Sequence, residues 1–136
     1  MRPALALLAL ALLAGGTARA DEACPFPGQK PKLIVQLYFS QRVRGSGPVS
    51  LRSWQRFLAE VVTKSLPDGF TVYDAYGQWQ DPRTHVISRE QTKVVVVADD
   101  DNPAFRARVA QVERAYRRQF DQQSVGLITN SGCGAF

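Results

Sequence analysis

The stretch from Phe70 to Trp79 concentrates the side chains best suited to chemistry: Asp74, Tyr76, Gln78 and Trp79, followed across a turn by Arg89. Together they offer an acid, an amide, a guanidinium and two aromatics. Asp74 would be the acid–base or hydrogen-bonding group, Arg89 an anion clamp and Trp79 a stacking wall. Ligand pockets are built this way, with mostly apolar walls and a few fixed polar groups. If a hairpin pairs about Gln80 with Ile87, then Asp74 faces Lys93, Tyr76 faces Gln91 and Gln78 faces Arg89. A slip of one residue would send every side chain to the other face. The competing reading is structural, a cross-strand ion pair with an aromatic rim, worth about 0.2–1 kcal/mol per pair. Gly77, inside the strand, marks a bulge or a close backbone approach.

Other chemistries are poorly supplied. His85 is the one histidine, and no Cys/His spacing suits zinc. Counted from Asp99, the positions an EF-hand fills with Gly and Glu hold Ala104 and Ala110, so Asp99-Asp100-Asp101 reads as a helix start. Gly45-Ser46-Gly47 is a loop rather than a nucleophile elbow, and no Gly-rich phosphate loop follows a strand. No metal and no cofactor are expected.

The elements that must position these residues are legible from periodicity. Leu33 to Phe39 alternates as a strand, and Arg44 to Pro48 is a loop. Ser50 caps a helix on which Leu51, Trp54, Leu58 and Val61 recur, joined by Phe57 and Val62, until Pro67-Asp68-Gly69 stops it. Phe70 to Trp79 is a second strand, Asp81 to Thr84 a turn, and Lys93 to Val97 lies in a third strand. Pro103 opens a second helix with the stripe Phe105, Val109, Val112, Tyr116 and Phe120. Ser124 to Thr129 is a short last strand before the Gly-rich Ser131 to Gly134.

The order βαββαβ implies an α+β, ferredoxin-like fold, a four-stranded antiparallel sheet with two helices on one face. The expected strand order is 4-1-3-2, which sets the start of the first strand beside the end of the last. Cys24 and Cys133 fall just outside those two ends, and they are the only cysteines.

Compartment follows from the first twenty residues. Arg2, the apolar run Ala4 to Ala14 and Ala18-Arg19-Ala20 form a cleavable secretory signal, with cleavage between Ala20 and Asp21. Residues 1–20 are then the signal and 21–136 one α+β domain that is periplasmic or extracellular, with no membrane span once the signal is removed. In an oxidising compartment Cys24 and Cys133 read as one disulfide. The rival is a lipid on Cys24, which the acid Asp21 three positions back argues against. Loss of Arg2 and Arg19 leaves fifteen basic against twelve acidic residues, a balance of +3. That excess is too small for a nucleic-acid partner, which needs a dense basic stripe.

Trp54, Val61-Val62, Pro67 to Val72, the run Asp74-Ala75-Tyr76-Gly77-Gln78-Trp79 and Lys93 carry a resemblance to a bacterial family of exported proteins, domain of unknown function 3574. Members often look like lipoproteins, and this chain departs from them in lacking a lipobox. The resemblance implies an exported protein and brings no reaction with it.

Two functions are therefore carried forward, with the ligand unknown. One is a non-catalytic module that binds a partner or small ligand or dimerises. The other is a small cofactor-independent enzyme of the dimeric α+β barrel type. Both rest on the second sheet face, where Ile34, Gln36, Tyr38 and two of the valines Val94 to Val97 make a surface too apolar to leave bare. A homodimer through that open face is the expected partner arrangement.

Overall fold

The computed structural model describes residues 24–43 and 45–136. The signal segment and its cleavage position at Ala20 and Asp21 lie outside the described residues. Six strands and two helical rods follow in order: β1 (Lys30–Ser40), β2 (Arg42–Val43), β3 (Gly47–Pro48), a rod of α1 (Leu51–Phe57), a π-helical turn (Leu58–Val62) and α2 (Thr63–Ser65), then β4 (Thr71–Gln80), β5 (Ile87–Asp99), α3 (Pro103–Gln119) and β6 (Gly126–Gly134). The chain is α+β, with a four-stranded antiparallel sheet ordered β4-β5-β1-β6 and a minor β2–β3 ladder.

One face of the sheet meets both helices. Val35, Leu37 and Phe39 of β1 and Val95 and Val97 of β5 join Trp54, Phe57, Val62, Phe105, Val109, Val112 and Tyr116 in a single core. Phe39 packs against Tyr116, Trp54 and Phe57 at centroid separations of 4.7–5.9 Å, mostly edge-on or tilted, as ring quadrupoles prefer. The α3 stripe Phe105, Val109, Val112, Tyr116 and Phe120 is buried along its length. Asn102 caps that helix, its side chain accepting from the Phe105 N–H at 2.9 Å, with Pro103 at the first position.

The first rod differs from the sequence reading. Leu51 lies 64% exposed, and Val62 rather than Val61 is fully buried. Phe57 and Val62 stand five residues apart, a spacing the wide π turn brings onto one face and an α turn would not. The last strand also runs later than its composition suggests, through the glycines to Gly134. Side-chain absence is what admits it: a Cβ on Gly132 would sit 2.7 Å from the Ile34 Cδ1. Pairing carries Cys133 opposite Pro31, and Cys133 is disulfide-bonded to Cys24 with Cα atoms 5.7 Å apart. Among the described residues no helix is long and apolar enough to cross a membrane.

Candidate functional site

The β4–β5 hairpin pairs Gln80 with Ile87, Asp74 with Lys93, Tyr76 with Gln91 and Gln78 with Arg89. Asp74 is ion-paired with Lys93, and the Arg89 Nε donates to the Gln78 Oε1 at 2.8 Å. These four residues share the helix-side face but lie beyond the helices, with Asp74 exposed at 72%, Gln78 and Arg89 exposed and Lys93 half-buried. Trp79 does not join them. Successive side chains point to opposite faces, so a tryptophan one residue after Gln78 emerges on the open face, and the five candidates do not converge. Gly77 makes no bulge: the register runs unbroken through its pairing with Glu90.

On the open face the same pleat assembles a different group. Gly77, Trp79, Glu90 and Thr92 meet Tyr38 and Ser40 in a cleft of about 330 Å³ at one end of the sheet, which Gln78 also borders from the edge strand β4. A contiguous lobe of about 480 Å³ continues past Arg42, Ser88 and the loop after α3. Trp79 is 53% exposed there. The Ser40 Oγ donates to the Glu90 Oε2 at 2.8 Å, and the other carboxylate oxygen has no partner among the described hydrogen bonds. A Cβ at position 77 would lie 3.4 Å from the Thr92 Oγ1 and 3.6 Å from the Glu90 Cγ, so glycine keeps the floor beside Trp79 low.

The cleft is braced from the core behind it. The buried Tyr116 hydroxyl donates to the Ser40 carbonyl at 2.7 Å and accepts from the Gln41 Nε2 at 3.1 Å. Burial pushes this phenol well above its ordinary range, so it stays a donor. Gln41 also donates to the Phe39 carbonyl at 3.0 Å, and its own backbone N–H donates to the Gln91 carbonyl at 2.9 Å. Asp121, in a left-handed conformation (φ 49°), ends α3 and turns the chain so that the Gln122 amide donates to the Arg42 carbonyl at 2.7 Å. The Arg42 Nη2 donates to the Arg89 carbonyl at 3.0 Å. Ser40, Arg42 and Glu90 are thus fixed by β1, β5 and the α3–β6 loop at once.

The family described as Protein of unknown function (DUF3574) matches residues 35–136. The chain belongs to this family. No curated protein matches it. Among solved structures this DUF3574 chain is similar to a phage SAM lyase in complex with S-methyl-5′-thioadenosine, at 11% identity and a TM-score of 0.57, covering 77% of this chain and 90% of that one. The phage SAM lyase in its apo state is similar at 11% identity and a TM-score of 0.54, covering 73% and 79%. At such identity the likeness is one of fold.

The acidic run at the start of α3 has structural partners in the DUF3574 chain. Asp99 binds Arg108 at 2.7 Å, Asp100 binds Lys32 at 2.9 Å, and Asp101 binds Arg106 at 2.6 Å, so the acidic run is spent on ion pairs. His85 sits exposed in the hairpin loop with φ 57°. A second hollow, about 320 Å³ between α3 and β6, is walled by Leu33, Val35, Phe105, Val109 and Leu127. Of its rim groups, Arg106 is already held by Asp101. Its polar groups are Arg106, Glu113 and Thr129 on an otherwise apolar wall, whereas the open-face cleft sets an exposed tryptophan beside a carboxylate held by a hydroxyl. Glu90, Ser40 and Thr92 were not singled out by the sequence reading; Gly77 in mid-strand is the signal that points to them.

Proposed function

We propose that this chain is an exported, non-catalytic binding module, periplasmic or extracellular, whose ligand site is the open-face cleft around Trp79 and Glu90. The observation that carries the reading is an exposed tryptophan beside a carboxylate held in place by Ser40, within a braced cleft. The Cys24–Cys133 disulfide supports an oxidising compartment. The sheet order β4-β5-β1-β6, with helical rods after β1 and β5, supports a ferredoxin-like arrangement. A phage protein of similar fold holds a small molecule, S-methyl-5′-thioadenosine, which supports a small-ligand role for this architecture. On this reading Trp79 serves the ligand, while Asp74, Tyr76, Gln78 and Arg89 form a cross-strand ladder that stiffens the hairpin.

The test is thermal denaturation of the mature protein against a collection of small metabolites, with Trp79→Ala alongside. A ligand at a hundredfold excess over its Kd adds about 2.7 kcal/mol of stability. Compounds that stabilise the native protein should lose that effect on the variant. Stabilisation that survives Trp79→Ala, or none from any compound, would remove the cleft as the site.

A second reading is favoured by Tyr73 and Ile128, apolar and nearly half exposed on the same open face. A second copy packing there would give a homodimer of the dimeric α+β barrel type, the arrangement that the alternative of a small cofactor-independent enzyme requires. Light scattering separates the two: a monomer at high micromolar concentration ends this alternative.

A further inference from the structure

Resting on the reading of the open-face cleft as a binding site, we propose that its ligand is a neutral molecule whose ring carries two adjacent hydroxyl groups, as in a nucleoside or a sugar. The acceptor comes first. An ionised carboxylate can only accept hydrogen bonds, and Glu90 has one oxygen taken by the Ser40 hydroxyl and no cationic partner among the described ion pairs. Whatever binds must therefore donate to it. Charge narrows the donor. Arg42 lines the same cleft, so an ammonium ligand drawn to Glu90 meets a guanidinium, and a phosphorylated ligand drawn to Arg42 meets a carboxylate. Hydroxyl groups donate without carrying charge, and two on adjacent carbons can share the acceptor sites that remain, those of the second Glu90 oxygen and the lone pair that Ser40 leaves on the first.

Geometry supplies the rest. Trp79 pairs across the hairpin with Ser88, and Glu90 lies two residues further along the same face. Such diagonal neighbours stand about 7–8 Å apart, enough to rest a ring on the indole while its hydroxyls reach the carboxylate. Gly77, paired directly with Glu90 and next to Trp79 on that face, adds no side chain to stand in the way of the ring. Aromatic faces of Trp take both nucleobases and the C–H faces of sugars, and the shared chemistry is the adjacent hydroxyl pair.

Calorimetric titration of the mature protein tests this with adenosine, its analogue lacking one of the two ribose hydroxyls, methyl glucoside and spermidine, each at low and high salt. The expected result is salt-insensitive binding of adenosine or of methyl glucoside, whichever binds identifying the source. Loss of one hydroxyl should weaken adenosine about tenfold, Glu90→Gln should weaken the bound probe about fivefold to tenfold, and Asp74→Asn on the opposite face should change nothing. Equal binding of the deoxy analogue, or tight binding of spermidine alone, would overturn the hydroxyl-pair ligand while leaving the cleft a site. If no probe binds and no compound of the wider collection depends on Trp79, the inference and the reading beneath it both fall.

Discussion

Replacing Tyr116 by Phe removes one oxygen atom from behind the cleft and leaves the core packing in place. The ring is fully buried, with centroids 4.7 Å from both Phe39 and Phe120 and 5.2 Å from Phe57, and Phe fills the same space. What goes is a donor to the Ser40 carbonyl at 2.7 Å and an acceptor for Gln41 at 3.1 Å. A buried group left unsatisfied costs about 1–3 kcal/mol. Gln41 keeps its bond to the Phe39 carbonyl, so its loss is partial. The expected destabilisation is therefore about 1.5–3 kcal/mol, or a fall of roughly 6–12 °C in Tm for a domain of this size. Urea melts followed by the fluorescence of the buried Trp54 measure it. Because the Ser40 backbone is also the anchor for the hydroxyl on Glu90, ligand affinity should fall along with stability. A change below about 0.5 kcal/mol with affinity intact would refute the bracing argument.

Further outcomes follow from other residues. The mature protein should begin at Asp21 and be two hydrogens lighter than its reduced form by mass spectrometry; opening the Cys24–Cys133 bridge, with its separation of 109 residues, should cost up to about 4–5 kcal/mol in a denaturant melt. Asp74→Asn breaks an exposed pair with Lys93 and should cost at most about 1 kcal/mol by thermal melt with ligand binding unchanged; lost binding at unchanged Tm would return Asp74 to the site. Burial holds the Glu113 carboxyl above its usual range, with Arg114 and Arg117 drawing it partly back. The folded chain then holds that proton more tightly than the unfolded one, so this group favours folding increasingly as pH falls through the raised value and opposes it at neutral pH. Glu113→Gln should accordingly raise Tm at neutral pH and lose that advantage in acid.

The sheet was legible because its signals are local. Alternating apolar residues in β1 and the turn at Asp81 to Thr84 sufficed to place Asp74 opposite Lys93, and Asn102-Pro103 marked the start of α3. The Cys24–Cys133 bridge was legible from two cysteines in a chain expected to be exported, and the pairing of β1 with β6 independently brings their neighbourhoods together. The π turn was not legible, since the Phe57–Val62 spacing belongs to neither regular period. Nor was the reach of β6 to Gly134, because glycines read as loop until Ile34 is known to pack over Gly132. The candidate site was half visible. Trp79 stood out by type, but its partners Ser40 and Glu90 are 50 residues apart and meet only through strand pairing, so grouping by sequence proximity joined Trp79 to neighbours that face away from it.

The chain has two tryptophans, one buried in the core and one in the cleft, which makes amide and indole NMR the most direct test of the site. On titration with a bound ligand, the Trp79 indole N–H and the backbone amides of Ser40, Gly77, Glu90 and Gly126 should shift together and saturate, while the Trp54 indole stays put. Shifts centred on Asp74, Tyr76 and Arg89, or on the hollow between α3 and β6, would contradict an open-face cleft as the place where this protein works.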